Sequence, residues 1–126
     1  MLIETNLEDA RNFRGVLRKI KTEQFHIERA DKLASALERI NEHKFDVIIA
    51  NLNLPDSSGN DTAVQICRSV QNVPLIVLTE IDDEKTELNA LKAGAQDFIV
   101  KEKLHPDTLM RAIRHSIESC LLYTSP

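Results

Sequence analysis

A chain of 126 residues, 42% hydrophobic and 29% charged, is long enough to bury a core without staples and reads as one domain. A formal net charge of −4, no Trp and a single Tyr exclude the basic, ring-bearing surface that nucleic acids require. No apolar run reaches the roughly 20 residues of a membrane span, and Met1-Leu2-Ile3-Glu4 is no signal peptide, so a soluble, cytoplasmic chain is expected.

Short apolar runs alternate with amphipathic stretches throughout, the pattern of an α/β domain with a parallel sheet. Leu2-Ile3-Glu4 reads as a first strand. Asn6, with Asp9 three residues on, begins a helix as its N-cap, and Ala10, Phe13, Leu17 and Ile20 carry it over about residues 7–21. Phe25, Ile27 and Ala30 alternate as an edge-like second strand. Asp31 is expected to cap a second helix, buried through Leu33, Ala36, Leu37 and Ile40.

Phe45 to Asn51 is apolar and β-branched, the mark of a strand covered on both faces, and it empties into the turn residues Pro55, Asp56, Ser57, Ser58 and Gly59. Ala63, Ile66, Cys67 and Val70 mark a third helix. Pro74 to Thr79 is a fourth strand, with Pro74 tolerated as its first residue. The fourth helix, about residues 83–93, has only Leu88, Leu91 and some alanines as anchors and ends at Gly94; so thin a stripe predicts weak docking. Phe98-Ile99-Val100 is the fifth strand, ending at Lys101. Pro106 opens a last helix with Leu109 or Met110, Ile113, Ile117 and Leu121 inward. Residues 1–121 form the domain, and 122–126 a tail or the start of a linker.

Five strands, each followed by a helix and connected right-handedly, give a three-layer α/β/α sandwich, with the flavodoxin-like order 2-1-3-4-5 expected for its parallel sheet. The first and last helices then share one face and the middle three the other. Cys67 and Cys120 fall on opposite faces and read as buried thiols of a reducing compartment.

Four strand ends meet at one crevice in this arrangement: Glu4 with Thr5, Asn51, Thr79 and Lys101. Ile3-Glu4-Thr5-Asn6, Asn51 with Leu54-Pro55-Asp56-Ser57-Ser58-Gly59, Val77-Leu78-Thr79, and Gly94-Ala95-Gln96-Asp97-Phe98-Ile99-Val100-Lys101 are each weak alone. In this order, each at a strand end, they resemble a receiver domain of two-component response regulators over residues 2–121. The resemblance implies two acids at the end of the first strand and an Asp at the end of the third, together holding Mg²⁺. It implies that this Asp accepts a phosphoryl group. A hydroxyl matching Thr79 and an ammonium matching Lys101 then bind the phosphoryl oxygens, and a ring matching Phe98 swings inward to report the event.

The sequence departs from that pattern at two acids, because Thr5 and Asn51 stand where carboxylates are expected. An amide is a very poor nucleophile, and Glu4 alone remains as a carboxylate for a hard cation, so Mg²⁺ binding is expected to be weak or absent and no cofactor is expected. Lys101 is expected to bond the Asn51 side-chain oxygen and Glu4. Thr79 and Phe98 read equally well as core packing, and Asp56 as a capping or turn residue. His26, His43, His105 and His115 are scattered over different elements and form no cluster. The reading is a degenerate pseudo-receiver of signal transduction, not an enzyme. It acts as a phosphorylation-independent interaction or dimerisation module through the face of the fourth helix, fifth strand and fifth helix, which carries Glu84, Lys85, Glu87, Lys92, Arg111 and Arg114. The expected partner is a protein, a second copy included, and neither nucleic acid nor membrane. Two other readings stay open: a small-anion sensor using Lys101 and Thr79 in the vacant crevice, and residual phosphotransfer through Asp56 or Glu4.

Overall fold

The computed structural model describes residues 1–70, 72–80 and 82–124, with 121–124 described by backbone alone. Five parallel strands, β1 (Leu2–Ile3), β2 (Arg29–Ala30), β3 (Ile48–Asn51), β4 (Leu75–Thr79) and β5 (Asp97–Val100), form one sheet in the order β2-β1-β3-β4-β5. They alternate with α1 (Leu7–Arg18), α2 (Leu33–Glu42), α3 (Asn60–Ser69), α4 (Glu84–Lys92) and α5 (Pro106–Thr124), and a 3₁₀ turn over Lys101–Lys103 follows β5. This is the flavodoxin-like sandwich that the alternation of short apolar runs and helices dictates.

Helices cover both faces of the sheet, which is why its central strands are apolar along their length. Residues alternate between the two faces. Ile48, Ala50, Leu75 and Val77 meet Leu33, Ala36, Ile66 and Ala90 under α2, α3 and α4. Ile49, Ile76 and Leu78 meet Phe13, Leu109 and Ile113 under α1 and α5. Cys67 packs half-buried from α3 against the first of these cores, while Cys120 lies buried on α5. Asn51 pairs with Leu78 and Thr79 with Val100, so β3, β4 and β5 finish close to level. That common edge is where an open α/β sheet places its ligands.

Several elements differ from the sequence pattern. α1 ends at Arg18, and β2 holds only Arg29 and Ala30; Phe25 and Ile27 lie in irregular backbone, half-buried against the α1–α5 core. Asp31 does not cap α2. Lys32 stands at the cap position without a side-chain bond, and the Asp56 carboxylate instead accepts the N–H groups of Leu33 (2.8 Å) and Ala34 (3.0 Å). Leu88 and Leu91 do not anchor α4: they are 48% and 41% exposed, while Ala90 is buried at 1%. The small Ala90 lets the helix approach the sheet closely, and the leucines flanking it stay outside. Gly94 closes α4 with φ +115°, and a Cβ there would lie 3.0 Å from Cys67 Sγ. α5 continues to Thr124, past the point where its apolar pattern stops, and the side chain of Leu121 lies outside the described residues.

Candidate functional site

Glu4 is the first residue beyond β1, and its side chain is 1% exposed. A buried carboxylate is tolerated only when paired and hydrogen-bonded. Its Oε1 accepts a bond from Lys101 Nζ at 2.5 Å, and its Oε2 accepts from Asn51 Nδ2 at 3.1 Å and from the Asn6 N–H at 3.3 Å. Lys101 leaves the end of β5, and its ammonium also donates to Asp9 Oδ2 at 2.7 Å, with Glu80 Oε1 at 3.5 Å. Asp9 is fixed in the first turn of α1, where Asn6 Oδ1 accepts the N–H groups of Glu8 and Asp9 and so caps the helix as its sequence predicts. Burial pulls the Lys101 pKa down, but hydrogen bonds to Asp9 and Glu4 and the charges of both carboxylates together raise it above the usual lysine value.

Asn51 turns its NH₂ toward Glu4, and its oxygen accepts the Asn53 N–H at 3.0 Å. Lys101 therefore does not bond the Asn51 oxygen, contrary to the sequence expectation. The second oxygen on the ammonium comes from Asp9, which the pattern reads only as part of a helix cap. Thr5 is exposed, and its hydroxyl donates to the Asp31 carbonyl at 2.7 Å. Arg29 ties the same turn down, donating from Nε to the Glu4 carbonyl (2.9 Å) and from Nη2 to that of Thr5 (3.0 Å). Thr79 ends β4 beside Val100, and Phe98 is half-buried against the core beneath α2, α3 and α4. The fold thus joins Glu4, Asn51 and Lys101 in one network and directs the Thr5 hydroxyl elsewhere.

These residues do not fit Mg²⁺. The cation wants several free oxygens in near-octahedral array. Here both Glu4 oxygens receive N–H donors, the Asn51 oxygen serves a local turn, and an ammonium already stands among the carboxylates. Among the described residues no group of three or more His, Cys, Asp or Glu is arranged to hold a metal.

Asp56 lies in the loop after β3, exposed, with its carboxyl held below the usual range first by the Ala34 N–H and then by that of Leu33. Its two oxygens cap the N-terminus of α2, so the expected capping role is served at a distant helix that no local pattern singles out. On the other flank, Glu84, Lys85 and Lys92 are exposed along α4 beside Leu88 and Leu91, and Glu87 is half-buried. Arg111 and Arg114 are exposed on α5, and Arg114 reaches to 3.6 Å from Glu23 in the segment after α1. Asp9 is the site residue that pattern reading misses. The available signal is its place in the first turn of a helix that starts directly above a strand end.

Comparison with known proteins places these features in context. The profile of the response regulator receiver domain matches residues 4–114. The chain is 27% identical to the swarming motility regulation protein RssB of Serratia marcescens over 88% of its own length and 49% of that protein's. It is 31% identical to the chemotaxis protein CheY of Thermotoga maritima over 62% of its length and 64% of that protein's. Its backbone superposes on the signal receiver domain of an HD domain-containing protein from Pseudomonas fluorescens with a TM-score of 0.82 at 19% identity, covering 97% of this chain and 88% of the other. The last likeness speaks to fold alone. The chain spans about half the length of the swarming motility regulator, at 49%.

Proposed function

This chain belongs to the response regulator receiver domain family of two-component signal transduction, and on that premise we propose that it is a pseudo-receiver, working in the cytoplasm without phosphorylation as a protein-interaction module. The observation that carries this reading is the Asn51 amide at the end of β3, donating to the buried Glu4 carboxylate. A phosphoacceptor needs a carboxylate oxygen with an available lone pair, and an amide offers neither the charge nor the leaving chemistry of an acyl phosphate. The network around Glu4, Lys101 and Asp9 is complete without metal or phosphoryl oxygens, which supports a fixed rather than a switched site.

Partner contact falls to the surface of α4, β5 and α5. Leu88 and Leu91 give it apolar area, and Glu84, Lys85, Lys92 and Arg111 surround them with both signs of charge. A second copy of the chain is the simplest partner for a surface carrying both signs. The anion-sensor reading gains no support, because the charge of Lys101 is answered by Glu4 and Asp9. Residual phosphotransfer gains none either, since Asp56 is engaged at α2 and Glu4 is buried.

The test is a ¹⁵N–¹H correlation spectrum of the full chain titrated with Mg²⁺ and then beryllofluoride, the analogue of a phosphoryl group on Asp. The amides of Asn51, Thr79 and Lys101 are expected to stay in place, and intact mass after acetyl phosphate treatment to be unchanged. A saturable set of shifts at those amides overturns the proposal.

A further inference from the structure

A second concave surface lies at the other edge of the molecule, between α1 and the segment that leads into β2. It is a cleft of about 540 Å³, within the roughly 300–1,000 Å³ typical of small-molecule sites. Leu17 and Ile20 line it from α1 and its end, and the half-buried Phe25 and Ile27 from the irregular segment. These two residues read as strand by their alternation, yet they face this space instead of pairing in the sheet.

Arg14 and Arg18, one helical turn apart, bring two guanidinium groups to the same cleft. Like charges at this spacing repel, so an anion between them is favoured. Arg14 Nε is buried and makes no hydrogen bond, whereas buried donors in folded proteins are nearly always satisfied. Among the described residues neither arginine has an ion-pair partner, and the acid lining the cleft, Glu23, lies beside Arg114 at 3.6 Å. In a chain of net charge −4, this is a local concentration of positive charge over an apolar floor.

We infer that this cleft binds a small organic carboxylate with an apolar body, its head held by Arg14 and Arg18 and its chain laid against Leu17, Ile20, Phe25 and Ile27. The planar guanidinium of arginine matches a carboxylate in two parallel hydrogen bonds through its terminal Nη groups, the donors left to a ligand here because Arg14 Nε is itself buried. The inference is independent of whether the strand-end crevice switches.

The test is a ¹⁵N–¹H titration of the full chain with octanoate, run beside octanol, acetate and an octa-glutamate peptide. Octanoate is expected to give saturable shifts confined to residues 14–27, with octanol and acetate giving none at the same concentrations. Arg14→Gln and Arg18→Gln each raise Kd roughly tenfold, the loss expected for a charge-assisted pair. Arg14→Lys weakens binding as well, because it keeps the charge and loses the fork. Unmoved amides at Glu4 and Lys101 identify variants that remain folded, and Arg18→Gln carries the test if Arg14→Gln does not fold. Three results overturn the inference: no saturation with octanoate, equal binding of octanol, or tighter binding of the octa-glutamate peptide at the same amides.

Discussion

The ammonium of Lys101 lies 2.7 Å from the carboxylate of Asp9, and this contact brings the end of β5 to the first turn of α1. Together with the Glu4 bond it closes the crevice at the strand ends from within. Lys101→Ala leaves Glu4, 1% exposed, as a buried charge without its cation. The variant is expected to lose roughly 3–5 kcal/mol in urea unfolding, the cost of breaking a buried pair by removing one partner. Glu4→Gln added to it should return much of that loss. Because the Lys101 pKa is raised in the folded chain, its contribution is full below about pH 10.5 and is lost as pH rises through the folded value.

Asn51→Asp exchanges an amide donor for a second anion at the place where Asn51 Nδ2 now stands, 3.1 Å from Glu4 Oε2. The single variant is expected to be less stable and to gain no Mg²⁺ affinity, since Thr5 brings no carboxylate and its hydroxyl is engaged at the Asp31 carbonyl. Thr5→Asp with Asn51→Asp is expected to bind Mg²⁺ saturably in calorimetry.

The pH dependence of α2 follows from Asp56. Its depressed carboxyl contributes stability that is present above the ordinary value of 3.8 and disappears as pH falls through the lower, folded value. Asp56→Ala should lower Tm at neutral pH by a few degrees, as loss of a helix cap does, and flatten the acid limb of the stability curve. Asp56→Asn, which keeps one acceptor oxygen, should fall between.

Gly94→Ala meets both a positive φ and Cys67 Sγ at 3.0 Å. A loss of about 1–3 kcal/mol is expected by chemical denaturation. Adding Cys67→Ala should restore only the part due to contact, leaving the backbone strain in place.

The surface leucines of α4 test the interaction module. Leu88→Glu with Leu91→Glu should change stability by less than about 0.5 kcal/mol, as exposed positions do. In sedimentation velocity the unmodified chain is expected to gain mass with concentration, while the double variant stays at 14.3 kDa. Charge reversal at Arg111 should have the same effect.

Strand order and the two cores were legible because they rest on local periodicity: Ile48 to Ala50 and Leu75 to Leu78 announce a doubly covered sheet on their own. What escaped pattern reading were partnerships across the chain. Asp31 reads as the cap of α2, yet Lys32 occupies the cap position and Asp56 supplies the carboxylate from a distant loop, a contact of which sequence spacing carries no trace. Asp9 likewise has a local use that hides its contact with Lys101. On α4 the stripe was too thin to orient the helix, so size decided: the small Ala90 went inward and the two leucines out. The strand-end positions Glu4, Asn51 and Lys101 were readable because a parallel sheet brings its ends together whatever the intervening chain does.

A counter-ion built into the chain behaves differently from one drawn from solution. Lys101 is tethered beside Glu4, so its local concentration is fixed by geometry and has no dependence on what the surrounding solution contains. It cannot be chelated or diluted away, because the chain carries it. On the proposed reading, the cation of this crevice is therefore part of the fold, and its presence follows folding alone.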